Sequence, residues 1–115
     1  MTAARHWAER LVRCHLEAAG MEFLAANYSA RRGEIDLVMR DGGQVVFVEV
    51  RQRQSDSHGS AAESLVPAKL ARIRRTARLF LLDRFGREDV DCRVDAVLLS
   101  GPRHSFRLSH LKGVG

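Results

Sequence analysis

Two acidic residues and a cation recur at a spacing suited to phosphate chemistry: Gly33-Glu34-Ile35-Asp36, then Gly42-Gly43, then Glu49-Val50-Arg51. Apolar residues alternate or cluster on both sides of Asp41-Gly42-Gly43, and a paired glycine favours the positive φ of a tight turn, so this segment predicts a β-hairpin. With Gly42 and Gly43 as the loop, Asp41 faces Gln44. Stepping outward sets Asp36 opposite Glu49 and Glu34 opposite Arg51, all on one face. Ile35, Leu37, Met39, Val46, Val48 and Val50 take the other face, the expected core. Opposed residues have Cβ atoms about 4.5–5.5 Å apart, where like charges destabilise the pair. Asp36 and Glu49 therefore call for compensation. A hard divalent cation, Mg²⁺ or Mn²⁺, uses one or two carboxylates together with water and phosphate oxygens, which this arrangement would offer. The alternative reading is an ordinary solvated sheet face in which Arg51 bridges Glu34.

The elements that position these residues follow from periodicity. Thr2 can cap a helix whose apolar positions Ala4, Trp7, Ala8, Leu11 and Val12 follow the helical repeat, with Gly20 closing it. Glu9 lies within that helix, where its simplest role is an i,i+4 partner for Arg13. Glu22 to Tyr28 predicts a first strand, the hairpin supplies two more, and Arg93 to Leu99 a fourth. A second helix is expected from Pro67, which is tolerated in a first turn, to about Arg84 before Gly86. Leu70, Ile73, Ala77, Phe80 and Leu81 form its buried stripe, while Arg72, Arg75 and Arg78 fall opposite with Arg74 at the margin. Together with Lys69 they make a basic face for the phosphates of DNA or RNA; the alternative is a merely solvated charged face. The polar stretch from Gln52 to Ser64 predicts a mobile loop beside Arg51.

The run GEIDLVMRDGGQVVFVEVRQR resembles the core of the functionally uncharacterised YraN-like bacterial proteins. The similarity extends from near His6 through Glu9, Gly20 to Asn27, Lys69, Ala77 and Arg93-Val94-Asp95, fading beyond about Ser100. That family is similar in fold to the PD-(D/E)xK nucleases and archaeal Holliday-junction resolvases. The resemblance implies a restriction-endonuclease-like mixed α/β sheet flanked by helices, in the order α-β-β-β-α-β. It also implies a divalent metal held by Asp36, Glu49 and the Val50 carbonyl, with Glu9 brought in from the first helix. Arg51 stands where nuclease members of this fold usually carry lysine. Arginine cannot act as a general base, but its fork of donors can hold a phosphate or stabilise developing negative charge. In cleavage, a water made acidic by the cation would attack while Arg51 or Lys69 neutralises the scissile phosphate.

Composition agrees with one domain over 1–115, with a loose C-terminal tail expected. The chain is near the modal domain size, with 45% hydrophobic residues. Its net charge of +5 favours polyanionic partners. No apolar run is long enough to span a membrane and charges interrupt the first twenty residues, so a cytoplasmic protein is expected. Cys14 and Cys92 suggest neither a disulfide framework nor a zinc cluster and are expected to be buried, reduced thiols. The five histidines lack ligand spacing and read as surface or packing residues. No phosphate-cradling glycine loop or Gly-x-Ser-x-Gly elbow is present, which removes P-loop hydrolases and serine hydrolases. Three functions remain: a metal-dependent endonuclease acting on structured or branched DNA, a non-cleaving nucleic-acid binder on the same scaffold, and, more weakly, a protein-interaction module. A homodimer would suit a branched substrate, though no heptad demands one.

Overall fold

The computed structural model describes residues 3–53 and 66–114. Helix α1 spans Ala3–Ala18; β1 (Glu22–Ala30), β2 (Gly33–Asp41) and β3 (Gln44–Arg53) form a meander. Helix α2 (Pro67–Phe85) then crosses to β4 (Cys92–Ser100), and β5 (Arg107–Leu111) ends the sheet. The five strands lie in sequence order, antiparallel except for the β3–β4 pair, which is parallel. A parallel pair needs a long crossover, and α2 is that crossover. The result is a mixed α/β sheet with one helix on each face. The Thr2 cap, the Ala4 side chain and segment 54–64 of the expected loop lie outside the described residues.

Both faces of the hairpin are buried. Leu37, Met39, Val46 and Val48 pack with Val97 and Leu99 under Trp7, Ala8, Val12 and Leu16 of α1. Val38, Val45, Phe47 and Val94 pack under Ile73, Ala77, Phe80 and Leu81 of α2. Phe80 anchors the second layer, meeting Tyr28 and Phe47 edge-on at ring centroid distances of 5.1 and 5.8 Å. The α2 stripe is as expected except that Leu70 is half-buried and Thr76 is buried as well. Pro67 opens the helix, and Gly86 closes it at φ +73, a left-handed conformation that costs glycine little.

Four expectations are corrected. Ile35 joins the α2-side core instead of the Leu37 face. The pleat is interrupted at Asp36: the β1–β2 ladder passes from Ala26↔Leu37 to Tyr28↔Ile35, and the intervening Asn27 is left-handed at φ +54. The C-terminal tail is not loose, because β5 pairs antiparallel with β4 from Ala96↔Leu111 to Ser100↔Arg107. Phe106 and Leu108 pack against the α1-side core, Phe106 with its ring centroid 6.0 Å from Trp7. Gln52 and Arg53 belong to β3, not to the loop. Cys14 and Cys92 are exposed thiols. Cys14 sits on the outward side of α1 between the core positions Val12 and Leu16, and Cys92 opens β4 before the first buried residue, Val94.

Candidate active site

The β2–β3 hairpin carries the predicted register. Asp41 pairs with Gln44 across a turn in which Gly42 has φ +63, and the ladder continues to Leu37↔Val48. There it stops, and the two strands are joined next through a side chain: Asp36 Oδ2 accepts a hydrogen bond from the Val50 backbone N–H at 2.8 Å. Beyond this point β2 stays paired with β1, while β3 stays paired with β4. The sheet thus opens between its second and third strands, at the stretch that carries both acids. The expected partners Asp36 and Glu49 share this opening, although the ladder does not extend through them.

The opening is a cavity of about 470 Å³. Its walls include Glu34 and Asp36 from β2, Glu49, Val50 and Arg51 from β3, Glu9 from α1, and Lys69 and Arg72 from α2. Contributions from both helices are possible because the parted strands no longer separate the two faces. Glu9, Asp36 and Glu49 are buried, at 5%, 5% and 6% exposure, which is unusual for carboxylates and demands partners. Glu49 has two. Arg51 Nη1 donates to Glu49 Oε1 at 3.3 Å, and Lys69 Nζ lies 3.3 Å from the same oxygen. Arg13, the simplest partner for Glu9 by spacing, pairs with Glu17 at 3.4 Å and lays its guanidinium 3.6 Å from the centre of the Phe23 ring.

Burial pushes the Glu49 carboxyl above its ordinary value and the neighbouring Asp36 pushes it further, while Lys69 and Arg51 draw it part of the way back. The folded site therefore holds a Glu49 proton more readily than the unfolded chain does. Stability falls as pH rises from the ordinary carboxyl range through the raised folded value. Glu49→Gln removes the titrating group, so the variant's melting temperature is expected to fall less than that of the wild type as pH rises from the ordinary carboxyl range to neutrality. Thermal denaturation followed by circular dichroism across pH would measure it, and an unchanged fall in the variant would contradict the assignment.

Of the basic residues expected to meet nucleic acid, Lys69 and Arg72 reach the cavity, whereas Arg75 points outward from α2. Arg78 is also exposed and lines, with Arg74, a separate groove floored by Phe47, Ala77 and Leu81. Arg32, which periodicity and spacing did not single out, lines the acidic cavity as well. It belongs to the two-residue turn between Ala30 and Gly33, and the signal in the sequence is a β-turn made of Arg31-Arg32 with neither glycine nor asparagine.

The donor set fits a hard divalent cation in kind: two buried carboxylates beside each other, with a third, Glu9, on the same cavity wall. Among the described residues no three acidic, imidazole or thiol groups come together closely enough to hold a metal ion between them. Such a site would leave water and phosphate oxygens to complete the coordination, as Mg²⁺ sites commonly do.

A split mixed sheet with acids in the split and cations from the crossover helix defines an α/β protein built around one charged cleft. The chain belongs to the uncharacterised protein family UPF0102, whose pattern matches residues 8–99 and so covers the helix of Glu9, the hairpin and β4. It is 49% identical over 94 residues to a UPF0102 protein of Klebsiella pneumoniae subsp. pneumoniae, covering 81% of this chain and 73% of that one. It is 48% identical over 98 residues to a UPF0102 protein of Nitrosomonas europaea, covering 85% and 81%. The UPF0102 protein YraN of Salmonella newport is 47% identical over 100 residues, with 86% and 70% covered. No helix among the described residues is long and apolar enough to cross a membrane.

Proposed function

We propose that this chain is a metal-dependent endonuclease that hydrolyses phosphodiester bonds in structured or branched DNA, and that it works in the cytoplasm as a single domain over 1–115. The observation that carries the reading is the meeting of buried Asp36 and Glu49 with Lys69 and Arg51 on the wall of one open cavity. Asp36, Glu49 and the Val50 carbonyl would hold Mg²⁺ or Mn²⁺, with Glu9 as a further oxygen donor. The cation, when bound, supplies Lewis acidity toward water and phosphate. Lys69 and Arg51 orient the phosphate group and balance the charge that develops on it, and a permanently charged arginine suffices for that task. Arg72, Arg75 and Arg78 along α2 hold the flanking phosphates. Glu34, exposed at the cavity rim, supports the cationic side chains around it.

Purified protein incubated with branched, single-stranded and duplex DNA in Mn²⁺ tests this reading. Cleavage is expected with Mn²⁺, absent after chelation with EDTA, and absent when Glu49 is replaced by alanine, a control that also excludes a contaminating nuclease. Two observations favour a second reading, a nucleic-acid-binding protein that does not cleave: Arg51 occupies the usual lysine position, and Glu49 Oε1 already holds two cations of the protein itself. That reading gives no cleavage and a binding constant that falls steeply with salt, because phosphate contacts set the salt slope. Absence of both cleavage and binding would leave a protein-docking module.

A further inference from the structure

The tip of the β1–β2 hairpin is built in a way that favours neither turn formation nor stability. Ala30 pairs with Gly33, so Arg31 and Arg32 are the two central residues, and both are left-handed, at φ +45 and φ +68. Positive φ at both central positions is the requirement of a type I′ turn, for which Asn-Gly is the preferred sequence. A Cβ atom at such a position crowds the carbonyl oxygen that follows it, and two such residues in succession double the cost. The chain uses glycine at Gly42 for the neighbouring hairpin, so the arginines are not forced by a lack of alternatives in this kind of turn.

The tip is also anchored where it matters. Gly33 lies against α2 so closely that a Cβ there would overlap Thr76 Oγ1, and Thr76 is itself buried and donates to the Arg72 carbonyl at 3.0 Å. Arg32 lines the acidic cavity, and Arg31 and Arg32 together line an open recess of about 390 Å³ that continues from it past Gly33 and Glu34. One permanent cation, Arg32, is therefore held on a wall of the cavity that α2 does not supply, and a second, Arg31, stands beside it on the adjoining recess. Exposed charges placed for solubility alone would have no need of a left-handed backbone.

We propose that Arg31 and Arg32 form a second phosphate grip, so that a nucleic-acid strand entering the acidic cavity is held by the hairpin tip as well as by the α2 cations. The inference rests on the nucleic-acid reading above and adds a binding element to it. Guanidinium groups are suited to the task because each presents a planar fork of donors to phosphate oxygens. The backbone strain is the cost of placing two of them side by side at the rim.

The test is the double variant Arg31→Asn/Arg32→Gly, which gives the turn its preferred residues. Its melting temperature is expected to rise by about 5 °C as the strain is relieved. Its affinity for a 20-base-pair DNA duplex, measured by fluorescence anisotropy in EDTA across a sodium chloride series, is expected to fall at least about tenfold near 0.1 M salt. The slope of log K against log salt should become shallower by about 1.8, two contacts at about 0.9 each. Arg31→Lys/Arg32→Lys keeps the charge and the strain, and should keep most of the slope with no gain in melting temperature. A glycine variant that binds with wild-type affinity and slope, while Arg72→Gln/Arg75→Gln binds more weakly, would overturn the grip and leave the nucleic-acid reading intact. Wild-type protein with no salt-dependent binding to duplex, branched or single-stranded DNA would remove that reading and the grip with it.

Discussion

Asp95→Ala is expected to cost the fold about 3–5 kcal/mol, the usual penalty for breaking a buried ion pair by deleting one partner. Such a loss is a large share of the roughly 5–15 kcal/mol that holds a domain together. Asp95 is fully buried on β4 and gathers four donors. Arg93 Nε donates to Oδ1 at 2.9 Å and Arg93 Nη2 to Oδ2 at 3.2 Å. Gly113 N–H donates to Oδ1 at 3.0 Å, and His110 Nε2 lies 2.7 Å from Oδ2. Arg93 also reaches Gln44 Oε1 at 2.7 Å and Asp41 Oδ2 at 3.1 Å, which ties β4 to the hairpin turn. Asp95→Ala would leave the guanidinium to Asp41 and Gln44 alone and loosen His110 and Gly113 from the sheet. Urea denaturation would record the loss, and a variant as stable as the wild type would show that the network carries no net stability.

The same carboxyl sets an acid limb. Burial by itself would raise it, but the hydrogen bonds from Arg93, Gly113 and His110 outweigh burial and hold it below the ordinary aspartate value. A depressed carboxyl contributes stability in full above its unfolded value and loses it as pH falls through the folded one. Unfolding midpoints should therefore drop below about pH 3.8, the ordinary aspartate value, and Asp95→Asn should flatten that drop. Glu49 works in the opposite sense, its contribution present below the ordinary carboxyl range and lost as pH rises through its raised value.

Asp36→Asn is expected to separate scaffold from chemistry. Asparagine retains an oxygen that can accept the Val50 N–H, so the opening between β2 and β3 should persist and the melting temperature should stay within a few degrees of wild type. The negative charge is gone, and with it one of the two carboxylates proposed to hold the cation. Uptake of Mn²⁺, followed through the electron paramagnetic resonance signal of the free ion, should fall below detection. Cleavage should fall by about 10²–10³-fold, the scale associated with losing one electrostatic stabiliser of a transition state. Undiminished manganese uptake would remove Asp36 from the proposed site.

Much of the fold was readable in the chain because local signals agreed with one another. Gly42-Gly43 set the hairpin register, which holds from Asp41↔Gln44 to Leu37↔Val48, and Pro67 and Gly86 bracket α2 around its apolar stripe. Alternation failed at Asp36, because its carboxylate bonds across to β3 in place of the ladder and Asn27 departs from the extended backbone beside it. Period-two reasoning has no means of anticipating such a break. β5 is only five residues long and half polar, so its pairing depends on β4 and on Phe106 reaching Trp7. Glu49 lies in β3 and Lys69 in the first turn of α2, and no spacing rule links them; only the fold brings them to 3.3 Å. Arg32 carries no turn signal, since arginine is a poor turn former, and for that reason its position is informative.

The parallel pairing of β3 and β4 has a consequence for how the molecule comes into being. The first three strands are joined by short turns and can assemble from contacts close in sequence, but β4 can dock only after the chain has travelled through α2 and back, a slow step for any polypeptide. Lys69 and Arg72 arrive with that return journey. A nascent chain would therefore display Asp36 and Glu49 early with Arg51 beside them but without Lys69, and would complete the cleft only once its later elements had settled.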